Sequence, residues 1–274
     1  MTYCSGQYQI LPMTVSTPQL NHLFPLRSST HAGLRLQVVV AHPDDETFGC
    51  GSLLLHAAAA GAVTAVCCGT RGEAGEWPEE MALPPGGIAE QRELELRAAA
   101  DVLGVSQVDV LDFADSGMAG DAAPSTLVGA DADDVAEAVR RAVSSFAPDV
   151  LVTLDSSDGH RDHARIRDVT VQVGHELDLP VYLSCLSRTL MRQWVDWMTE
   201  QDPGSSYLAL GELGTPDEDV SVRFDSAEHL AAREAAIALH RSQTSPYEGL
   251  PPDLRRAFLT TEYLVGPVPS TARP

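Results

Sequence analysis

The sequence is poor in positive charge. Its 274 residues include 18 basic side chains, all of them arginine, against 39 acidic ones, which gives a formal net charge of −21. A chain this acidic repels phosphate backbones and anionic lipid surfaces, so we expect neither a nucleic acid nor a membrane surface as its partner. Solubility is sufficient to explain the acidity, and a small-molecule partner is compatible with it.

The sequence also lacks long apolar runs and paired cysteines. It has no stretch of about 18 consecutive apolar residues, and its first residues, MTYCSGQYQILPMTVSTPQL, have neither the basic start nor the apolar run of a secretory signal. Its five cysteines form neither a disulfide framework nor a CxxC zinc motif. These absences predict a cytoplasmic protein without a membrane span, whose cysteines are reduced and buried.

The apolar segments become regular from Leu34 onward. Short runs such as LRLQVVVA, AVTAVCC and DVLVTL alternate with longer helical segments such as SLLLHAAAAG and IAEQRELELRAAADVL. Helices between apolar strands predict an α/β fold: an open, Rossmann-like, mostly parallel sheet with helices on both faces and an active site at the carboxyl ends of the strands. After Leu190 the pattern weakens to a strand, VSVRFD, and a helix, SAEHLAAREAAIALHRSQ.

Composition suggests how the chain is divided. Residues 1–33 are rich in Ser, Thr, Pro and Gln and are predicted to form a poorly ordered leader. Residues 34–274 contain no internal repeat and no Gly/Ser linker, so we expect a single domain over that range. With 44% hydrophobic residues the chain can bury a full core without cross-links.

A first group of polar residues follows the strand LRLQVVVA. The segment AHPDDE places a histidine and three acids directly after the apolar run: His42, Asp44, Asp45 and Glu46. Carboxylates away from water carry a heavy desolvation cost unless a positive charge neutralises them, and a metal ion can supply that charge. The alternative interpretation is that Asp45 or Thr47 caps the helix that follows.

A second group follows the strand DVLVTL, where the segment DSSDGHRDH supplies His160, Asp162 and His163. Two strand ends in a parallel sheet can lie side by side, so we expect His42, Asp45 and His163 to converge. Two imidazoles and one carboxylate form a zinc-type ligand set that leaves coordination positions open for water and substrate.

Three further histidines are not predicted as ligands, because none pairs with an acid at a useful spacing: His56, His175 and His240. His56 lies inside the first predicted helix, and we expect it to be structural. Glu46 is predicted to support the site rather than to react.

AHPDDE together with the later HRDH resembles the motifs of the PIG-L (LmbE-like) family of zinc-dependent N-deacetylases. The similarity extends to GTRGEAG at residues 69–75, to RELELRAAADVLG, to PDVLVTLD before the second histidine group, and to AIALHRSQ. It covers roughly Leu36 to Gln243, which is most of the chain. Two motifs in the family's order, each after a strand, make the match specific.

The resemblance implies a metal site and a base. By that resemblance, His42, Asp45 and His163 bind one zinc ion per chain, and Asp44 is the general base that takes a proton from zinc-bound water. A metal lowers the pKa of its bound water to about 7, so a neighbouring carboxylate can complete the activation at neutral pH.

The remaining roles also come from the resemblance. His160, as an imidazolium, matches the residue that stabilises the oxyanion or protonates the departing amine, with Asp162 holding the ring and its charge. Arg71 matches a position that contacts polar groups of the substrate. The alternative for Arg71 is an exposed arginine that pairs with Glu73 or Glu76.

Two positions depart from the family pattern. Arg161 stands where members commonly have proline between the His and Asp of HxDH, and Asp158 stands where some sugar deacetylases carry an aromatic residue. The residues that match the metal ligands and the acid/base residues of the family are present despite both changes. We expect an added cation and a lost aromatic to reshape the rim of the cleft, which leaves the substrate open.

The leading hypothesis is a zinc-dependent hydrolase that removes the N-acetyl or another N-acyl group from an N-acetylglucosamine-type conjugate. The altered HRDH motif keeps a second hypothesis open, a zinc amidase acting on a thiol S-conjugate or another secondary-metabolite amide. A non-catalytic ligand-binding domain is less favoured, because the first turn has GCGS rather than GxGxxG and binding needs no carboxylate beside a zinc ligand set. Assembly into a homo-oligomer is compatible with all three.

Overall fold

A computed structural model describes residues 33–268 of the chain. The leader predicted over residues 1–33 therefore lies outside the described residues except for Gly33. The strands are β1 (Arg35–Val40), β2 (Val63–Cys68), β3 (Gln107–Val110), β4 (Val150–Leu154), β5 (Val181–Cys185), β6 (Val222–Asp225) and β7 (Thr261–Val265). The α-helices are α1 (Asp45–Phe48), α2 (Gly51–Ala59), α3 (Gly87–Leu103), α4 (Ala132–Phe146), α5 (Arg161–Glu176), α6 (Arg188–Gln201), α7 (Leu230–Ile237) and α8 (Pro252–Thr260).

The seven strands form one sheet in the order β3-β2-β1-β4-β5-β7-β6. The first five strands pair in parallel, and β7 runs antiparallel to both of its neighbours. The predicted α/β fold with a mostly parallel sheet is thus confirmed. In β1, Val39 lies opposite Cys67 of β2 and Thr153 of β4, so the carboxyl ends of these three strands are adjacent.

Both faces of the sheet are buried. Val38 and Val40 of β1 point into one core cluster, with Leu53 of α2 and Leu96 of α3. Val39 points into the cluster on the other face, which α4 and α5 cover. Because successive side chains of a strand point to opposite faces, burial on both faces explains why these strands are continuous apolar runs rather than alternating ones.

The apolar pattern weakens after Leu190, and the sequence there predicted neither β7 nor α8. The β7 segment TEYLV has an acid in its interior, which is unusual for a buried strand. Glu262 is only 4% exposed, and its carboxylate accepts a hydrogen bond from Arg233 at 2.8 Å. Over the described residues no helix is long and apolar enough to cross a membrane.

Candidate active site

The loop after β1 fixes the first group of polar residues. Asp45 begins α1, and its Oδ2 atom accepts hydrogen bonds from the backbone N–H groups of Ala41 at 3.2 Å and His42 at 2.8 Å. A capping side chain would accept from N–H groups within the helix, whereas these donors precede it. Neither α1 nor α2 has a side-chain cap, so the capping interpretation is wrong. The Asp45 carboxylate lies instead beside the His42 ring.

The second group lies at the neighbouring strand end, after β4. His160 caps the N-terminus of α5, where its Nδ1 atom accepts a hydrogen bond from the backbone N–H of Asp162 at 3.1 Å. His163, in the first turn of α5, contacts both His42 and Asp45. The predicted convergence of the two groups is therefore what the structure shows.

Three residues bring four possible donor atoms together where the groups meet, two of them the carboxylate oxygens of Asp45. The Nδ1 atom of His42 lies 3.5 Å from Oδ2 of Asp45 and 3.3 Å from Nε2 of His163. That Nε2 atom lies 3.2 Å from Oδ1 of Asp45. Zinc with ligand bonds of about 2.0–2.1 Å in tetrahedral geometry places its donor atoms roughly 3.3 Å apart. The three residues His42, Asp45 and His163, which we call the donor triangle, therefore present donor atoms at separations that fit such an ion.

Each imidazole of the donor triangle has a carboxylate at its other nitrogen. The Nε2 atom of His42 lies 3.1 Å from Oδ2 of Asp162, and the Nδ1 atom of His163 lies 2.6 Å from Oδ2 of Asp158. A carboxylate at the outer nitrogen holds the ring in the tautomer that presents its inner nitrogen to a metal. The orientation of both rings is thus set for metal binding.

Negative charge dominates this region. Four carboxylates lie within ion-pair distance of the His42 and His163 rings: Asp45, Asp115, Asp158 and Asp162. Burial lowers the pKa of His163, but Asp45 and Asp158 raise it, and the balance places it at about 10. The Oδ1 atom of Asp162 is buried and accepts no hydrogen bond. A cation would compensate this buried charge.

The side chain of Asp162 does not have its predicted contact. The resemblance implies that it holds the His160 ring, but its carboxylate contacts His42 and accepts a hydrogen bond from the backbone N–H of Ser116 at 2.9 Å. Only the backbone N–H of Asp162 reaches His160. The cause is the capping geometry, because a residue at the second helical position offers its N–H to the cap while its side chain points away.

Asp44 lies beside the donor triangle in a strained backbone conformation with φ at 135°. Its N–H donates to Oε2 of Glu46 at 3.0 Å, and its Oδ2 atom accepts a hydrogen bond from Arg92 at 3.1 Å. Burial raises the pKa of Asp44 to about 6, although the positive charge of Arg92 opposes that effect. The carboxylate is thus held next to the donor triangle by a buried arginine.

The His160 ring lies beside both histidines of the donor triangle. Its centroid lies 4.8 Å from that of His163 and 4.6 Å from that of His42. Since Nδ1 accepts the Asp162 N–H, the neutral ring carries its proton on Nε2. Burial lowers the pKa of His160 to about 4, and His42 and His163 act in the same direction. Without a metal ion, burial and the two neighbouring rings therefore oppose the imidazolium form of His160 that the resemblance implies.

Arg71 follows β2 and is held by two acids. Its guanidinium lies 2.9 Å from Glu93 and 3.2 Å from Asp112. These partners differ from Glu73 and Glu76, the two considered from the sequence. Arg71 also lines a cavity of about 390 Å³ with residues of α3.

Residues 37–173 match the family described as PIG-L: GlcNAc-PI de-N-acetylase. The matched range begins in β1, ends in α5 and contains both groups of the site. The chain belongs to the PIG-L family. PIG-L deacetylases are metal-dependent, in agreement with the donor triangle.

Two curated relatives of this PIG-L chain are named 1D-myo-inositol 2-acetamido-2-deoxy-alpha-D-glucopyranoside deacetylase. The protein from Geodermatophilus obscurus is 32% identical over 266 residues, which covers 84% of the chain and 90% of the relative. The protein from Kineococcus radiotolerans is 39% identical over 249 residues, which covers 77% and 69%. These relatives are deacetylases, and this PIG-L chain is a hydrolase that cleaves amide bonds.

The fold of the PIG-L chain recurs in solved structures. A deacetylase-bog complex from the biosynthesis pathway of teicoplanin has a TM-score of 0.58 and 21% identity, and the match covers 85% of this chain and 98% of that one. At this identity the likeness concerns the fold alone.

The two departures from the PIG-L pattern make structural contacts. The Arg161 guanidinium donates to four backbone carbonyls of the loop after β3: those of Ser116, Gly117, Ala119 and Gly120. Arg161 therefore fastens that loop, while Asp158 accepts the hydrogen bond of His163. The sequence had predicted that these two changes reshape the rim of the cleft. The structure adds that each side chain also makes contacts within the site.

Three residues at the PIG-L site were not predicted as contributors. Asp115 contacts His42 at 3.6 Å, and Arg92, which is 4% exposed, binds Asp44. The Nε2 atom of His240 lies 3.0 Å from Oε1 of Glu46. Arg92 and His240 lie in the segments RELEL and LHRSQ, which resemble the family and could have pointed to them. Asp115 is a single acid after a weakly patterned strand, and nothing in the sequence marks it as a site residue.

Proposed function

We propose that this chain is a zinc-dependent N-deacetylase that hydrolyses the acetamide of an N-acetylglucosamine-type conjugate. The observation that carries the proposal is the donor triangle of His42, Asp45 and His163, with the Asp44 carboxylate beside it. Its first candidate substrate is 1D-myo-inositol 2-acetamido-2-deoxy-α-D-glucopyranoside, because the relatives at 32% and 39% identity are named for it.

The donor set supports zinc as the metal. His42, Asp45 and His163 would hold it through two nitrogens and one carboxylate, which leaves room for water and the substrate carbonyl. When bound, zinc supplies Lewis acidity, which polarises the carbonyl and lowers the pKa of water to about 7. Asp162 and Asp158 contribute by fixing the two histidine rings.

Asp44 acts as the general base in this proposal. Its pairing with Arg92 favours the ionised carboxylate, and its bond to Glu46 fixes the backbone that carries it. The carboxylate takes a proton from the attacking water as oxygen bonds to the acetamide carbon. The same proton is then available to the amine nitrogen as the C–N bond breaks, so that acetate and a free amine leave.

His160 stabilises the developing negative charge on the carbonyl oxygen. Its neutral ring presents the Nε2–H as a donor, because Nδ1 is occupied by the Asp162 N–H. A preorganised donor in a buried site stabilises an oxyanion without a full positive charge on the ring. Arg71 is proposed to contact polar groups of the substrate beyond the reacting amide.

Release of primary amine tests this function. The chelator-stripped and zinc-restored protein would be assayed with the inositol conjugate, with free N-acetylglucosamine, and with N-acyl thiol S-conjugates. The proposal predicts zinc-dependent amine release that is fastest for the inositol conjugate. Zinc-dependent release from only the S-conjugates would replace the sugar assignment with the amidase alternative, and no release from any compound despite bound zinc would contradict both.

A further inference from the structure

A second set of metal-ligating side chains lies apart from the donor triangle. His56 stands in the last turn of α2, and Glu228 and His229 stand in the 3₁₀ helix Ala227–His229 that precedes α7. The two segments are separated by 172 positions along the chain, and their convergence is a product of the fold. The set shares no residue with the donor triangle.

The three side chains are spaced as ligands of one ion would be. Each offers one donor atom, and these three atoms lie within 4.8 Å of one another. The Nε2 atom of His229 lies 3.7 Å from Oε1 of Glu228, too far for a hydrogen bond and close to the separation of two ligands on one metal. The His56 and His229 ring centroids lie 5.7 Å apart at 65°, compared with 5.2 Å and 49° for His42 and His163.

A buried ring nitrogen without a hydrogen-bond partner is an independent reason to expect a ligand at this cluster. The Nε2 atom of His229 is inaccessible to solvent and makes no hydrogen bond. A buried polar atom in that state carries a desolvation cost, which a bond to a metal removes. The Glu228 side chain is 59% exposed, so an ion can reach the cluster from solvent.

We propose that His56, Glu228 and His229 form a second metal site, which takes a divalent transition-metal ion such as zinc. Two imidazoles and one carboxylate suit zinc, and water completes the coordination. The bound ion cross-links α2 to the segment that begins α7, so its effect is on stability rather than on the chemistry at the donor triangle. The sequence had predicted only a structural role for His56, whose ring also packs 5.2 Å from that of Phe224.

Counting bound zinc distinguishes a second site from simple ring packing. Chelator-stripped full-length protein would be titrated with zinc chloride, with the bound metal measured by mass spectrometry and the affinities by calorimetry. We expect two equivalents in the wild type. Glu228→Gln and His229→Gln should each keep the first equivalent and bind the second at least tenfold more weakly. His175→Gln is the matched control and should bind two equivalents.

A variant without the donor triangle isolates the second site. His163→Ala should retain one equivalent of zinc, and zinc should still raise its melting temperature. Adding Glu228→Gln should abolish that rise, and because Glu228 is exposed this change leaves the fold intact even if His229→Gln does not. One equivalent in the wild type, or equal binding by all variants, would overturn the proposal.

Discussion

The Nδ1 atom of His163 lies 2.6 Å from Oδ2 of Asp158, five residues earlier in the chain. Asp158 stands where some sugar deacetylases carry an aromatic residue. The departure that suggested a different substrate rim therefore also places a carboxylate against a proposed metal ligand. Burial raises the pKa of Asp158, but the bond to His163 outweighs it and leaves that pKa below its ordinary value. Asp158 is thus an anion that orients the His163 ring.

Replacing Asp158 should weaken metal binding. In Asp158→Asn the carboxylate that orients His163 is lost, and we expect zinc affinity to fall about 10- to 100-fold, as is typical for such outer partners. Competition with a coloured chelator measures the affinity. Asp168→Asn, on the exposed side of α5 and paired with Arg167, is the control and should bind zinc as the wild type does. Equal affinity of the two variants would exclude a role for Asp158.

Removing Arg161 should loosen the loop after β3. Its guanidinium holds four carbonyls of that loop, and a hydrogen bond from a charged group typically stabilises by about 1.5–3 kcal/mol. We expect Arg161→Gln to lower the free energy of unfolding by about 2 kcal/mol and to speed proteolysis within residues 116–120. Arg141→Gln, with a side chain 68% exposed, should change neither. Unchanged proteolysis would show that the loop is held by other contacts.

The His240–Glu46 pair should make stability depend on pH. Burial lowers the pKa of His240, but Glu46, Asp44 and Glu95 together raise it more, so the folded state binds a proton more tightly than the unfolded state does. The stabilisation is complete below the unfolded pKa of about 6.5 and is lost as the pH rises through the folded value.

This effect is measured by denaturing the His240→Gln variant and the wild type, both in the presence of a chelator, and comparing their free energies of unfolding. The difference in free energy of unfolding should be about 2 kcal/mol at pH 6 and smaller at pH 9. In a Glu46→Gln background the difference should fall less between pH 6 and pH 9, because the largest of the contributions that raise the pKa of His240 is gone. If the difference in free energy of unfolding instead grew as the pH rose, the result would contradict the pairing.

Arg71 tests the proposed contact with substrate. If it binds polar groups equally in the ground and transition states, Arg71→Gln should raise KM for the inositol conjugate and leave kcat nearly unchanged. Arg97→Gln is the matched control, because Arg97 also pairs with Glu93 and lines the same cavity. A fall in kcat with unchanged KM, or equal effects of both variants, would argue against substrate binding by Arg71.

The parallel part of the fold was predictable from the sequence because its strands are buried on both faces. β1, β2 and β4 are uninterrupted apolar runs, and the helices between them end at clear signals, such as Gly104 in a left-handed conformation after α3. β7 was not predictable, since its buried Glu262 looks polar until Arg233, 29 residues away, is brought beside it. Long-range pairing of this kind leaves no local pattern.

The same distinction holds at the site. The residues of the donor triangle lie in two motifs after two strands, and their convergence follows from parallel pairing of β1 and β4. The contacts of Asp162 and Arg161 depend on the direction in which a helical turn aims each side chain and on the path of the loop after β3. Spacing in the sequence does not determine either.

The most direct test of the account compares Asp44→Asn with His163→Ala for metal content and amine release in the same preparations. We predict that Asp44→Asn retains zinc at wild-type affinity at the donor triangle but loses amine release by at least 100-fold, because it lacks only the proposed base. His163→Ala should keep the zinc equivalent of the second site but lose amine release and the zinc equivalent of the donor triangle. Amine release by Asp44→Asn at the wild-type rate would contradict the proposed mechanism, and wild-type zinc affinity at that site in His163→Ala would contradict the proposed metal site.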